Sequence, residues 1–174
     1  MNTNVKRLRK ELQELRRSPE EDMVLFPEED TILRWRAFIR GPKDTPFEDR
    51  TFELSILTSP LYPMEPPKMK FVTKIFHPNV HFKVVDLTVM GCSGDAAQDG
   101  SICLDILKRE WSPAWTLRAA CLAVISLLSD PAADSPLNCD AGNMIRAGDL
   151  LAYNTMAKMY TQEFGLLELP QHPL

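Results

Sequence analysis

Several features that would announce other chemistries are missing. The 174 residues hold no G-x-S-x-G turn for a serine nucleophile, no phosphate-cradling glycine loop and no dinucleotide fingerprint. No internal repeat or low-complexity tract interrupts them. No apolar run reaches the roughly 20 residues a membrane helix needs, and the first residues lack the apolar core of a secretory signal. Gln171-His-Pro-Leu174 does not read as a peroxisomal import tripeptide. Positive charge is not in excess: 20 Lys and Arg against 24 Asp and Glu leave a formal charge of −4, so no nucleic-acid partner is expected. Four cysteines without framework or C-x-x-C spacing suit a reducing compartment. The expectation is a cytoplasmic protein that does not insert into membranes by itself.

What is present describes one ordinary globular domain over residues 1–174, with 44% apolar and 25% charged residues. Val5, Leu8, Leu12 and Leu15 recur at helical spacing and predict an amphipathic helix over 4–17, ended by Ser18-Pro19. Lys6, Arg7, Arg9, Lys10, Arg16 and Arg17 would give it a basic outer face against only Glu11 and Glu14, a pattern that a plain solvated surface also explains. Leu33, Trp35, Ala37 and Ile39 alternate with Arg34, Arg36, Phe38 and Arg40, and Phe52, Leu54 and Ile56 alternate with Glu53 and Ser55, so both stretches predict half-buried strands. Further strands are expected at 22–26 and 68–72. Pro60 to Pro67 reads as a rigid extended crossing, with the alternative of a proline-rich ligand for an SH3 or WW domain. Leu117, Cys121, Val124 and Leu128 predict a central helix over 116–129, with Cys121 as core filler. Shorter and longer helices should follow at 141–146 and 150–163, with Leu151, Met156, Met159 and Tyr160 as a packing stripe, before a tail at 164–174. One helix, a four-stranded antiparallel meander and then helices make an α+β domain.

The chemistry concentrates in residues 75–117. Cys103 lies in the run Gly-Ser-Ile-Cys-Leu-Asp, and Asn79 closes the His77-Pro-Asn turn upstream. A thiolate can carry an acyl group as a thioester, and an amide N–H can stabilise the oxyanion formed when that thioester is attacked. Trp111-Ser-Pro-Ala-Trp-Thr-Leu117 follows. A zinc site from His77, His81, Cys92 and Cys103 is the competing reading, although the two cysteines are eleven residues apart.

HPN, then G-x-I-C-L-D, then W-S-P-A resembles the active-site region of the ubiquitin-conjugating enzymes, and the resemblance extends from residue 6 to about residue 163. Within the family, His77 to Lys83, Trp111 to Leu117, Asp134 to Asp140 and Met156 to Thr161 are most similar to the peroxisomal branch. The resemblance implies that Cys103 accepts ubiquitin as a thioester from the activating enzyme, with Asn79 stabilising the oxyanion and His77 and Pro78 supporting the turn. It puts the activating-enzyme contact at Lys6, Arg7 and Lys10, and the contact with a RING-type ligase at Met64, Pro113 and Ala114. No metal or cofactor is implied, since ATP is used by the activating enzyme. The branch implies the peroxisomal import receptor as acceptor and a membrane anchor protein as recruiter to the cytosolic face of the peroxisome. A general quality-control conjugating enzyme and a non-catalytic binding variant are the alternatives; retention of Cys103 speaks against the second.

Two departures stand out. The family separates HPN from its cysteine by a few residues, whereas here Val84 to Asp99 intervenes. An excursion at the rim of the active site fits this, and so does a retained intron. Many members also place an aspartate before the Pro-Leu that follows the central helix. This chain has Ser135, with Asp134 just upstream, as the peroxisomal branch does. The intervening segment and the loop after the central helix should both border the site, which would allow Cys92 and Cys139 to meet, against the simpler expectation of two free thiols.

Overall fold

A computed structural model of the chain describes residues 3–82, 99–102, 111–134 and 136–171. Helix α1 spans Thr3–Arg17, with Arg16 and Arg17 in its last turn, where cations complement the helix dipole. Its buried face is Asn4, Leu8, Glu11 and Leu15, while Val5 and Leu12 are half-buried. The apolar stripe expected from the sequence is therefore rotated, and a carboxylate sits inside it.

Strands β1 (Met23–Glu28), β2 (Thr31–Arg40), β3 (Thr51–Leu57) and β4 (Lys68–Phe71) form the expected antiparallel meander. Trp35 faces Ile56 and Ala37 faces Leu54 across β2 and β3, so the alternating apolar residues share one face. Trp35, Ala37, Ile39, Phe52, Leu54 and Ile56 are all fully buried. The sheet then goes beyond the meander. Two short strands, β5 (Val80–Phe82) and β6 (Asp99–Ile102), complete a six-stranded order β1-β2-β3-β4-β6-β5. Asp99, expected to end the intervening segment, is the first residue of β6. Gly100 makes the docking of β6 on β4 possible. Its φ is 70°, and a Cβ there would lie 1.9 Å from the carbonyl oxygen of Phe71.

Helix α2 (Leu117–Ser129) packs Leu117, Ala120, Cys121, Val124, Leu127 and Leu128 into the core. Thr116 caps it by accepting from the Ala119 N–H at 3.2 Å. Helices α3 (Cys139–Arg146) and α4 (Leu150–Phe164) follow, capped by Asn138 and Asp149. On α4 the inward residues are Tyr153, Ala157 and Thr161, with Met156 and Tyr160 packed partly against the core. Leu151 and Met159 are exposed, which corrects half of the expected stripe. The tail is tied down at its start, where Leu166 and Thr51 exchange two backbone bonds of 2.9 Å.

The proline-rich crossing is a turn and not an extended rod. Tyr62 N–H donates to Ser59 O and Met64 N–H to Leu61 O, while the Tyr62 side chain plunges into the core. The Tyr62–Pro63 peptide is cis.

Candidate active site

The His77-Pro78-Asn79 turn is buried, and its two polar side chains bond to the backbone around it. His77 Nδ1 accepts from the Asn79 backbone N–H at 3.1 Å, so Nδ1 is unprotonated and Nε2 carries the hydrogen that reaches Leu127 O at 3.1 Å. Burial lowers the His77 pKa to about 4, opposed by the Leu127 carbonyl. With both nitrogens engaged, His77 offers no lone pair to a zinc ion, and the zinc reading loses its first ligand.

Asn79 is 1% exposed. Its amide nitrogen donates to Ala132 O at 2.7 Å, and its amide oxygen accepts from Ala132 N–H at 2.9 Å. A primary amide has two N–H bonds, so Ala132 occupies one of them. Pro78 O accepts from Leu137 N–H and Asn138 N–H at 2.8 and 3.0 Å. The turn thus grips the loop after α2 at both ends, and Asp134 stands exposed between the grips. Ser135 lies outside the described residues.

Directly after Asn79, β5 begins, and Val80 pairs with Ile102 of β6. Cys103, the residue after Ile102, lies outside the described residues, as do Cys92 and residues 84–98 of the intervening segment. Two other thiols are described. Cys121 is fully buried and its thiol is pushed up to about 12, which makes it a poor nucleophile. Cys139 is a free, exposed thiol at the start of α3.

Lys6 and Lys10 stand out from α1, and Lys10 makes only an exposed 3.8 Å pair with Glu14. Arg7 differs from the expected outward face. It turns inward to Glu11 at 2.6 Å and donates to Trp115 O at 2.8 Å. Met64, Pro113 and Ala114 are exposed on two loops that touch each other. Trp111 Nε1 donates to Pro63 O at 2.8 Å, and the Tyr62 and Trp111 rings lie 6.0 Å apart. The residue that sequence reasoning missed is Glu11. Its signal was its place, at i+3 from Leu8 and i−4 from Leu15 on the buried face of α1.

A family model described as ubiquitin-conjugating enzyme matches residues 7–90 and 95–161. The chain belongs to the ubiquitin-conjugating enzyme family. It is a ubiquitin transferase with the family's α+β fold. Ubiquitin-conjugating enzyme E2 pex4 of Dictyostelium discoideum is 49% identical over 160 residues, covering 91% of this chain and 97% of that protein. PEROXIN-4 of Arabidopsis thaliana is 46% identical over 158 residues, covering 90% of this chain and 91% of the other. The structure of H. polymorpha ubiquitin conjugating enzyme Pex4p, solved in complex with the soluble domain of Pex22p, superposes with a TM-score of 0.80 at 34% identity, covering 94% of this chain and 99% of Pex4p. Within the family, the chain is therefore similar to proteins named pex4, PEROXIN-4 and Pex4p. Among the described residues, no helix is long and apolar enough to cross a membrane.

Proposed function

We propose that the enzyme carries ubiquitin as a thioester on Cys103 and passes it, with a RING-type ligase, to the peroxisomal import receptor. In loading, the Cys103 thiolate attacks the carbonyl carbon of ubiquitin's C-terminal thioester on the activating enzyme. The new C–S bond replaces the old one, and the activating enzyme's cysteine leaves as a thiolate. In discharge, an acceptor amine or thiol attacks the same carbonyl, the charge passes through an oxyanion, and Cys103 is expelled as a thiolate. The observation that carries this reading is the antiparallel pairing of Val80 with Ile102. The chain leaves β6 toward Cys103 on the side of the pair from which Asn79 enters β5.

The cellular assignment draws support from the relatives named pex4 and PEROXIN-4. A partner of the kind that Pex22p is to Pex4p would hold the enzyme at the cytosolic face of the peroxisomal membrane. A cysteine acceptor suits Ser135, because a thiol near pKa 8.5 needs less help to deprotonate than a lysine near 10.4.

The test is a non-reducing gel after incubation with activating enzyme, ubiquitin and ATP. A reductant-sensitive adduct should form, vanish in Cys103→Ala, and become reductant-resistant in Cys103→Ser. Cys92→Ala, Cys121→Ala and Cys139→Ala should keep it. An adduct that survives Cys103→Ala and is lost in Cys92→Ala would move the nucleophile.

A further inference from the structure

Glu11 sits on the buried face of α1 with 3% exposure, a costly place for a carboxylate unless every lone pair is used. Three donors from three elements converge on it. Oε1 accepts from Arg7 Nε at 2.6 Å and from the Tyr62 hydroxyl at 2.8 Å. Oε2 accepts from the Leu117 N–H at 2.8 Å, one of the orphan donors at the start of α2. Burial first, and then the adjacent carboxylate, raise the Tyr62 pKa far above the ordinary phenol value, so the hydroxyl stays a donor.

From these bonds the contacts close into a ring. Tyr62 leads to Pro63, whose carbonyl holds Trp111. The Trp111 ring lies 6.1 Å from that of Trp115, whose carbonyl holds Arg7, and Arg7 returns to Glu11. Met64 follows Pro63 in the chain, and Pro113 and Ala114 lie between the two tryptophans. The three exposed residues assigned to the ligase therefore stand on loops whose common base is one carboxylate on the helix assigned to the activating enzyme.

We propose that Glu11 is a positioning residue for the ligase surface, setting loops 58–67 and 111–116 in one arrangement through its two oxygens. The proposal rests on reading Met64, Pro113 and Ala114 as ligase contacts. Glutamine cannot replace it. With its oxygen toward Arg7 and Tyr62, its NH2 opposes the Leu117 N–H; reversed, its NH2 opposes Arg7.

The test uses the full chain with Glu11→Gln and, as a milder probe that keeps the carboxylate, Tyr62→Phe. Hydrogen exchange should rise together in residues 61–65 and 112–117 of Glu11→Gln, with β3 unchanged. For function, a panel of purified RING domains is screened, and the one that most stimulates wild-type discharge is titrated. The concentration for half-maximal stimulation should rise about tenfold in Glu11→Gln, as loss of a charge-assisted bond allows. Ligase-free discharge, loading and the maximal stimulated rate should hold. Tyr62→Phe should move half-saturation the same way by less, and add little to Glu11→Gln. Unchanged exchange in the two loops, unchanged half-saturation, or an equal fall in loading, ligase-free and stimulated rates would each overturn the proposal. If no RING domain stimulates the wild type, the assignment of the ligase surface fails, and the exchange measurement still decides whether Glu11 sets the loops.

Discussion

The side chain of Asn79 and the backbone of Ala132 bond each other in both directions, at 2.7 and 2.9 Å. The residue assigned to the oxyanion is thereby also a clasp between the HPN turn and the loop after α2. Asn79→Ala should cost about 1–3 kcal/mol of stability, since both partners in Ala132 lose a bond and only partly regain one from water. It should also slow discharge to an amine by roughly a hundredfold, while loading stays near wild type. Urea unfolding with single-turnover discharge checks both numbers. A slow but fully stable variant would leave the clasp without energetic weight.

His77 gives stability a pH dependence of defined sign. Its pKa is about 4 in the fold against 6.5 for the free side chain, because the buried ring favours the neutral form. The unfolded chain therefore binds more protons between those values, and stability falls as pH drops from 6.5 toward 4. The full effect is about 3 kcal/mol, from 1.36 kcal/mol per pKa unit. Unfolding midpoints across this window should slope less steeply in His77→Gln than in the wild type. Parallel slopes would mean that the ring is already charged in the fold.

The basic face of α1 should split into two classes. Lys6→Glu with Lys10→Glu should slow loading roughly tenfold at low ionic strength, recover part of that with salt, and leave the unfolding midpoint unchanged. Arg7→Glu should instead lose about 3 kcal/mol of stability, because it sets a second carboxylate against buried Glu11. Stopped-flow loading over a salt series, with thermal melts, separates the classes. Equal melts for the two variants would return Arg7 to the solvated face.

Ser135 bears on the choice of acceptor. With serine in place of a carboxylate, discharge to free cysteine should outpace discharge to free lysine, and Ser135→Asp should raise the lysine rate selectively. Asp134 stands exposed one residue upstream and is the competing carboxylate. If the ratio of rates is unmoved by Ser135→Asp while Asp134→Ala lowers the lysine rate, the role belongs to Asp134.

What could be read from the residues follows from how often each pattern repeats. Helices α1, α2 and α4 span three turns or more, so Leu8 with Leu15, or Leu117 with Val124 and Leu128, state their period several times over. Strands β2 and β3 alternate for as long. Strands β5 and β6 are three and four residues long, and sixteen residues separate them, so neither repeats its alternation enough to be seen. The HPN turn was legible as a motif, but its bonds to Leu127 and Ala132 join residues about fifty apart in the chain. Glu11 was hidden for a different reason. A charged residue on a charged helix reads as surface; its place between Leu8 and Leu15 was the one hint, and the inward Tyr62 of a distant loop confirms it.

The pairing of Phe82 with Asp99 has a consequence for anyone wishing to rebuild this enzyme. The intervening segment departs from and returns to neighbouring positions on one hairpin, so its length is independent of the sheet's register. Replacing residues 83–98 by a two-residue turn removes three doublings of loop length, worth about 2 kcal/mol of closure entropy in favour of folding. The same two anchor points would accept a foreign cargo in place of the native residues. A fluorescent reporter or a photo-crosslinking peptide spliced there would be anchored at Asp99, four residues before Cys103, with β5 and β6 still holding their places.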